Sequence, residues 1–497
     1  MLRRLALLLL CLACLAPSLR ADAPARSSFT ASDGVKLEYV AAGSGPAVIL
    51  LHGRDSNAED QWLKTGVAAA LAAHHRVIAP ELRGDRSSAR RAEDVVELMK
   101  TLRVDRAHLH GYGSAGDVLT QLLASHPERL LTASYGGSVI PEIGPETPPG
   151  DEIARRIDLT KVKVPVLALN SRLDRPNEKT SRMRRELPRF WSYGLAGSEP
   201  ARIVGPVYTK ILSSFVELFD PGVPPLEDRF FVARDGVKLH YWSIGQGPAV
   251  VLLHGFSGSA DMWLFNGVAA ALAKNHRVLA LDCRGHGRSD KPHDPARYGP
   301  PVALDTVELL DHLKLEKAHI HGFSLGGWIL AYILSQRPER VLTAAFVGHA
   351  VMEFDPAMER NVPQDREGVD GLDRAAREKV RDPLELEARS VQGPGTRDDQ
   401  ALAAARAYPW KPTERLEGEV FPSRLPIDLK SIKMPVLAIM GALDWPNLKT
   451  HRMWRELDNV WIVRLPGKAH VSGVAPGYIP PEYVDATVKF VTANDPR

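Results

Sequence analysis

The sequence predicts an α/β fold written twice, as two tandem domains that each hold a mostly parallel sheet flanked by helices. Two observations carry that expectation. Ser32 to Gly53 reads SDGVKLEYVAAGSGPAVILLHG and Arg234 to Gly255 reads RDGVKLHYWSIGQGPAVVLLHG, the same segment displaced by 202 residues. Short apolar runs such as AVVLLHG, RVLALD, AHIHGF and PVLAIM alternate with longer stretches of helical spacing, and they lack the polar alternation of a half-exposed strand. Such runs fit strands buried on both faces of a parallel sheet.

Taken in chain order, residues 1–23 come first. Arg3 and Arg4 precede an apolar run from Leu5 to Ala16, followed by an ADA triplet at Ala21 to Ala23. That layout predicts a secretory signal peptide, and the run is short for a membrane span. An uncleaved anchor or a lipid on Cys14 are the alternatives. Removal of the leader would leave Cys283 as the remaining cysteine of the three, so no intrachain disulfide is expected. The destination is then secreted or periplasmic, with no stable membrane insertion.

Residues 28–218 form the first predicted domain. The 497-residue chain exceeds what one core usually supports, and the long repeat resolves it into two domains. GVAAALAAHHRVIAPELRG from Gly66 matches GVAAALAKNHRVLALDCRG from Gly267, displaced by 201 residues. HGYGSAG at 110–116 matches HGFSLGG at 321–327, and KVPVLALNSRLDRPN from Lys163 matches KMPVLAIMGALDWPN from Lys433, at 211 and 270. A proline-rich linker is expected over 219–228, and the second domain over 229–497. The register steps place extra loop residues near Asp290 to Pro301 and a long insert at about 350–426. That insert is too long for a bare loop and predicts a helical cap.

Composition narrows the function. Hydrophobic residues make up 44% and charged residues 25%, an ordinary globular balance. With 63 Lys and Arg against 60 Asp and Glu, the formal charge of +3 gives no reason to expect a nucleic-acid partner. No metal-ligand spacing is evident and no cofactor is implied.

The chemistry concentrates at Gly322-Phe323-Ser324-Leu325-Gly326. A GxSxG elbow between a strand and a helix crowds the backbone until only glycine fits two residues either side of the serine, and it lifts the hydroxyl clear of the sheet. The hydroxyl needs a base nearby and an acid to orient that base.

On these residues the second half resembles the α/β-hydrolase fold family, and the first half resembles a shortened, degenerate relative of it. The resemblance implies a catalytic acid at Asp444, just past MPVLAIMGAL, and a catalytic histidine at His470, after VWIVRLPGKA. It also implies an oxyanion hole built from the backbone amides of Phe256 and Leu325. Trp328, Met352 and Trp445, with the Phe256 side chain, are candidates for an apolar acyl pocket or for core. His451, His349 and Asp355 are rival histidines and acid, and His286 matches a family loop that is usually structural. A serine at the elbow argues against the family's haloalkane dehalogenases and epoxide hydrolases, which use a carboxylate nucleophile.

The first half serves as an internal control. Gly113 stands where Ser324 does, Asp174 matches Asp444, and the register of 270 sets Pro200 opposite His470. Ser114 as a shifted nucleophile would put Tyr112 where the elbow demands a small residue. The expectation is therefore an exported serine hydrolase of a small-molecule carboxylic ester or similar acyl substrate, with a non-catalytic first domain that docks on the second. Aminopeptidase, carbon–carbon hydrolase, perhydrolase and pure scaffold remain the alternatives. Substrate identity and oligomeric state are not encoded in these patterns.

Overall fold

The computed structural model describes residues 24–84, 87–143, 152–195, 203–352, 398–407 and 427–496. The expected leader, Pro200, Asp355 and all of the expected cap except residues 350–352 and 398–407, which include the short helix Asp399–Ala407, lie outside the described residues.

Two eight-stranded sheets follow one another along the chain. The first contains β1 (Ala25–Thr30), β2 (Lys36–Ala42), β3 (Ala47–Leu51), β4 (Arg76–Pro80), β5 (Ala107–Tyr112), β6 (Leu130–Gly136), β7 (Val166–Ser171) and β8 (Phe190–Leu195), in the spatial order β1-β2-β4-β3-β5-β6-β7-β8. The second contains β9 (Glu227–Val232), β10 (Lys238–Ile244), β11 (Ala249–Leu253), β12 (Arg277–Leu281), β13 (Ala318–Phe323), β14 (Val341–Val347), β15 (Val436–Gly441) and β16 (Val460–Leu465), and it repeats that order. In each sheet the first two strands pair antiparallel and the other six run parallel. The central strands β11 and β13 are buried at every position because helices cover both faces.

The repeat extends to buried polar groups. Arg83 bonds Asp33 and Asp94, and Arg284 bonds the matching Asp235 and Asp305. His75 and His108 both reach Asp220, as His276 and His319 reach Asp495. His110 Nε2 lies 2.5 Å from the Tyr208 hydroxyl, and His321 Nε2 lies 2.6 Å from that of Tyr483. These bonds fasten β5 and β13 to the last helices of their halves, Pro206–Leu218 and Pro481–Ala493. Asp220 pins the start of the expected linker to the first half, and β9 already begins at Glu227 inside it.

The halves share a core. β8 is an edge strand, yet all six of its residues are buried, because the second half covers it. The Trp191 ring centre lies 5.6 Å from that of Trp242, tilted against it, and 6.0 Å from that of Phe265, edge-on to it. The indole N–H groups of Trp191 and Trp242 both donate to Asp261 Oδ1, at 3.1 and 2.7 Å. The counterpart of Trp191 on β16 is Trp461, which is 44% exposed. A buried indole or carboxylate must find a partner or pay its full desolvation, and here each supplies the other.

Candidate active site

Ser324 sits between β13 and the helix Leu325–Gln336 with φ 51° and ψ −107°. A serine with positive φ is a strained backbone, held by its surroundings. Its amide donates to the Val347 carbonyl at the end of β14, and the Gly326 amide donates to the His254 carbonyl beside β11. A Cβ on Gly322 would stand 2.2 Å from the Gly326 carbonyl oxygen, and one on Gly326 would stand 2.3 Å from that of Leu253. Both glycines are thus required by close backbone approach, which is what the elbow pattern predicts.

His470, in the loop after β16, lies 3.0 Å by Nε2 from Ser324 Oγ and 2.9 Å by Nδ1 from Asp444 Oδ2. A carboxylate can only accept, so the Nδ1 proton faces Asp444 and Nε2 is left to accept from the serine hydroxyl. Asp444 is set in a tight turn after β15, with its amide on the Gly441 carbonyl. Burial works against its charge, but Lys449 and His470 outweigh that and hold its carboxyl below the usual range. Lys449 was not singled out from the sequence. It carries an ammonium 2.6 Å from Asp444 Oδ1, and its only sequence signal is the match of WPNLKT to RPNEKT.

Leu325 opens the helix after the serine, and Phe256 follows β11 one residue beyond Gly255. Gly255 runs close to the nucleophile: a Cβ on it would be 3.4 Å from the Ser324 Cβ. Arg406, on the helix Asp399–Ala407, lies over the Phe256 ring at 5.0 Å. Among the pocket candidates, Trp328 is buried against Tyr332 within the core, Trp445 is 37% exposed, and Met352 is half-buried beneath Arg452.

The rival histidines divide by environment. His451 is half-buried on the helix Pro446–Glu456, near Trp454. Burial pulls His286 down to about 3, and its Nδ1 faces the Arg284 carbonyl. His254 spends both nitrogens on backbone, with the Gly255 carbonyl at 2.7 Å and the Cys283 amide at 3.0 Å. His52 does the same with Gly53 and Leu82. His349 is driven down to about 3 by burial and by the nearby Lys449.

A family model described as alpha/beta hydrolase fold matches residues 248–455. The second half is an α/β-hydrolase-fold domain. The first half repeats that α/β-hydrolase topology strand for strand. The acetyltransferase component of an acetoin-cleaving system from Pseudomonas putida is 37% identical over 117 residues, which cover 23% of this chain and 31% of that protein. A bifunctional epoxide hydrolase from Sus scrofa is 34% identical over 144 residues, covering 27% and 26%. The chain spans about a third or less of the length of these curated relatives. Among solved structures, an esterase from Exiguobacterium antarcticum is 22% identical with a TM-score of 0.38, covering 54% of this chain and all of that one.

The same positions in the first half are arranged differently. Gly113 takes Ser324's place with φ 54°. Ser114, the counterpart of Leu325, accepts a 2.8 Å hydrogen bond on its Oγ from the amide of Arg54, the counterpart of Phe256. One would-be oxyanion donor is therefore occupied from within. Fifteen residues, 466–480, separate β16 from the last helix and carry His470, whereas ten separate β8 from the helix Pro206–Leu218.

Proposed function

We propose that the second half is a serine hydrolase of carboxylic esters or similar acyl substrates, that the chain is exported, and that the first half is non-catalytic. The observation carrying this reading is the continuous hydrogen-bond relay from Ser324 through His470 to Asp444. His470 removes the Ser324 proton as Oγ attacks the acyl carbon, and the backbone amides of Phe256 and Leu325 receive the oxyanion. His470 then returns the proton to the leaving alcohol. Water, deprotonated by the same nitrogen, cleaves the acyl-enzyme and releases the acid. Asp444 keeps the proton of His470 on Nδ1 and faces the imidazolium as it forms. In the first half the missing serine and the Ser114 bond to Arg54 remove both the nucleophile and one oxyanion donor.

Some relatives are named as epoxide hydrolases, so the test includes both chemistries. The full chain, wild type and Ser324→Ala, is treated with a fluorophosphonate probe, short acyl esters and a simple epoxide. Labelling and ester turnover that vanish with Ser324→Ala support the proposal. Epoxide opening without labelling or ester turnover overturns it.

A further inference from the structure

Lys449 brings a buried ammonium into the relay, and the Ser, His and Asp scheme makes no use of it. Its side chain is 10% exposed, and its Nζ donates to Asp444 Oδ1 at 2.6 Å and to the Gly348 carbonyl at 2.8 Å. A lysine normally extends its head to water, and burying it is costly without a partner. Here the partner is the carboxylate that orients the base. The two oxygens of Asp444 are divided, Oδ2 toward His470 and Oδ1 toward Lys449. Gly348 in turn abuts the base: a Cβ there would lie 3.0 Å from both Nδ1 and Cε1 of His470. One ammonium thus ties the end of β14, the turn after β15 and the helix Pro446–Glu456 into the wall around the imidazole.

The internal repeat separates this arrangement from a general need of the fold. Lys179 occupies the matching position in the first half and is exposed. The matching turn at Gly137 is kept, with φ 58° against 59° at Gly348. The turn therefore keeps its shape where the matching lysine is exposed, and the lysine is buried in the half that has the serine and the histidine.

We propose that Lys449 is a positioning residue of the triad, which fixes the Asp444 carboxylate in the rotamer that meets His470 Nδ1 and offsets its negative charge. The inference rests on the serine-hydrolase reading of Ser324. A carboxylate whose charge is already offset by an ammonium holds the imidazolium that forms in the reaction less tightly than an unpaired one would. The titratable groups that face the pair are Lys449 from its helix and His349 from the end of β14. Burial holds His349 near 3, which leaves it neutral through the working range.

The test compares kcat, KM, their pH profile and fluorophosphonate labelling rate in wild type, Lys449→Met, Lys449→Arg, Asp444→Asn and the Asp444→Asn, Lys449→Met double variant, with thermal melts alongside. Lys449→Met is expected to lower kcat about 100-fold with little change in KM. It is also expected to move the acidic limb of kcat/KM up by about one pH unit. Lys449→Arg restores most of kcat and returns the limb. In the Asp444→Asn background, where no carboxylate charge is stranded, the Lys449→Met change adds little further loss, and this arm holds even if the single variant folds poorly. A folded Lys449→Met with the wild-type profile overturns the proposal, as does a full additional loss in the Asn background. Failure of the wild type to label at Ser324 sinks the hydrolase reading itself, whereas a labelled wild type with an unaffected Lys449→Met sinks only the role given to Lys449.

Discussion

The two halves of this chain share a backbone plan and differ in what a few positions carry. Ser324 and Gly113 adopt nearly the same positive φ at the same place between strand and helix. In the second half that geometry aims a hydroxyl at His470, and in the first it aims nothing. The elbow is thus separable from the reaction: close backbone packing builds the turn, and a side chain of two heavy atoms makes use of it. The buried histidines teach the converse. His52 with His254 and His110 with His321 keep the same partners in both halves, so their work is to hold strands and helices together.

The largest expected effect breaks the comparison at its sharpest point. Ser324→Ala should lower kcat by about 10⁵-fold or more in an ester assay, as loss of a triad nucleophile does elsewhere, while Ser114→Ala leaves it unchanged. A substantial loss from Ser114→Ala would show that the first half takes part in the chemistry.

Trp191→Ala should remove about 3–5 kcal/mol of stability in denaturant melts, since it empties the shared core and leaves part of Asp261 without its donor. The matching Trp461→Ala, on an exposed edge, should cost under about 1 kcal/mol. Equal costs would mean that the two halves do not depend on this contact.

Gly326→Ala drives a Cβ into the Leu253 carbonyl and should cost about 1–3 kcal/mol by overpacking, with lost turnover. The first half already carries Ala115 at that position, fully buried at its counterpart turn. Gly326→Ala at wild-type stability and rate would show that the elbow is looser than its spacing implies.

Acid provides a more gradual effect, shared by both halves. Burial holds His110 and His321 near 3, far below the ordinary histidine value. The unfolded chain therefore takes up protons first as pH falls. Each histidine contributes stability that is complete above about 6.5 and is lost down to about 3, at about 1.4 kcal/mol per pH unit in the steep part. Removing either ring, by His110→Gln or His321→Gln, should flatten the pH dependence of the melts by about one proton. An unchanged slope would show that these rings already titrate near their ordinary value.

Much of the fold was legible because duplication wrote each strand twice. An apolar run such as AVVLLHG is ambiguous alone, but its recurrence as AVILLHG in the same register fixes it as β11 and β3. Ser324 could be named because backbone crowding forces glycine around the elbow, and Asp444 and His470 through the family resemblance, in which acid and base follow strand ends in a set order. Lys449 could not. The stretch WPNLKT resembles RPNEKT closely, and no pattern distinguishes a lysine that turns inward from one that reaches solvent.

By itself the sequence determined the α/β class, the twofold repeat and the turn that presents Ser324, since these follow from local spacing, glycine and apolar runs. The tertiary structure decided how the halves meet, through Trp191, Trp242 and Asp261, and which of two matching lysines is buried beside Asp444. It also placed Ser114 on the amide of Arg54. These outcomes depend on packing between elements distant in the chain, where a contact is set by the geometry of several elements at once and leaves no periodic mark in any one of them.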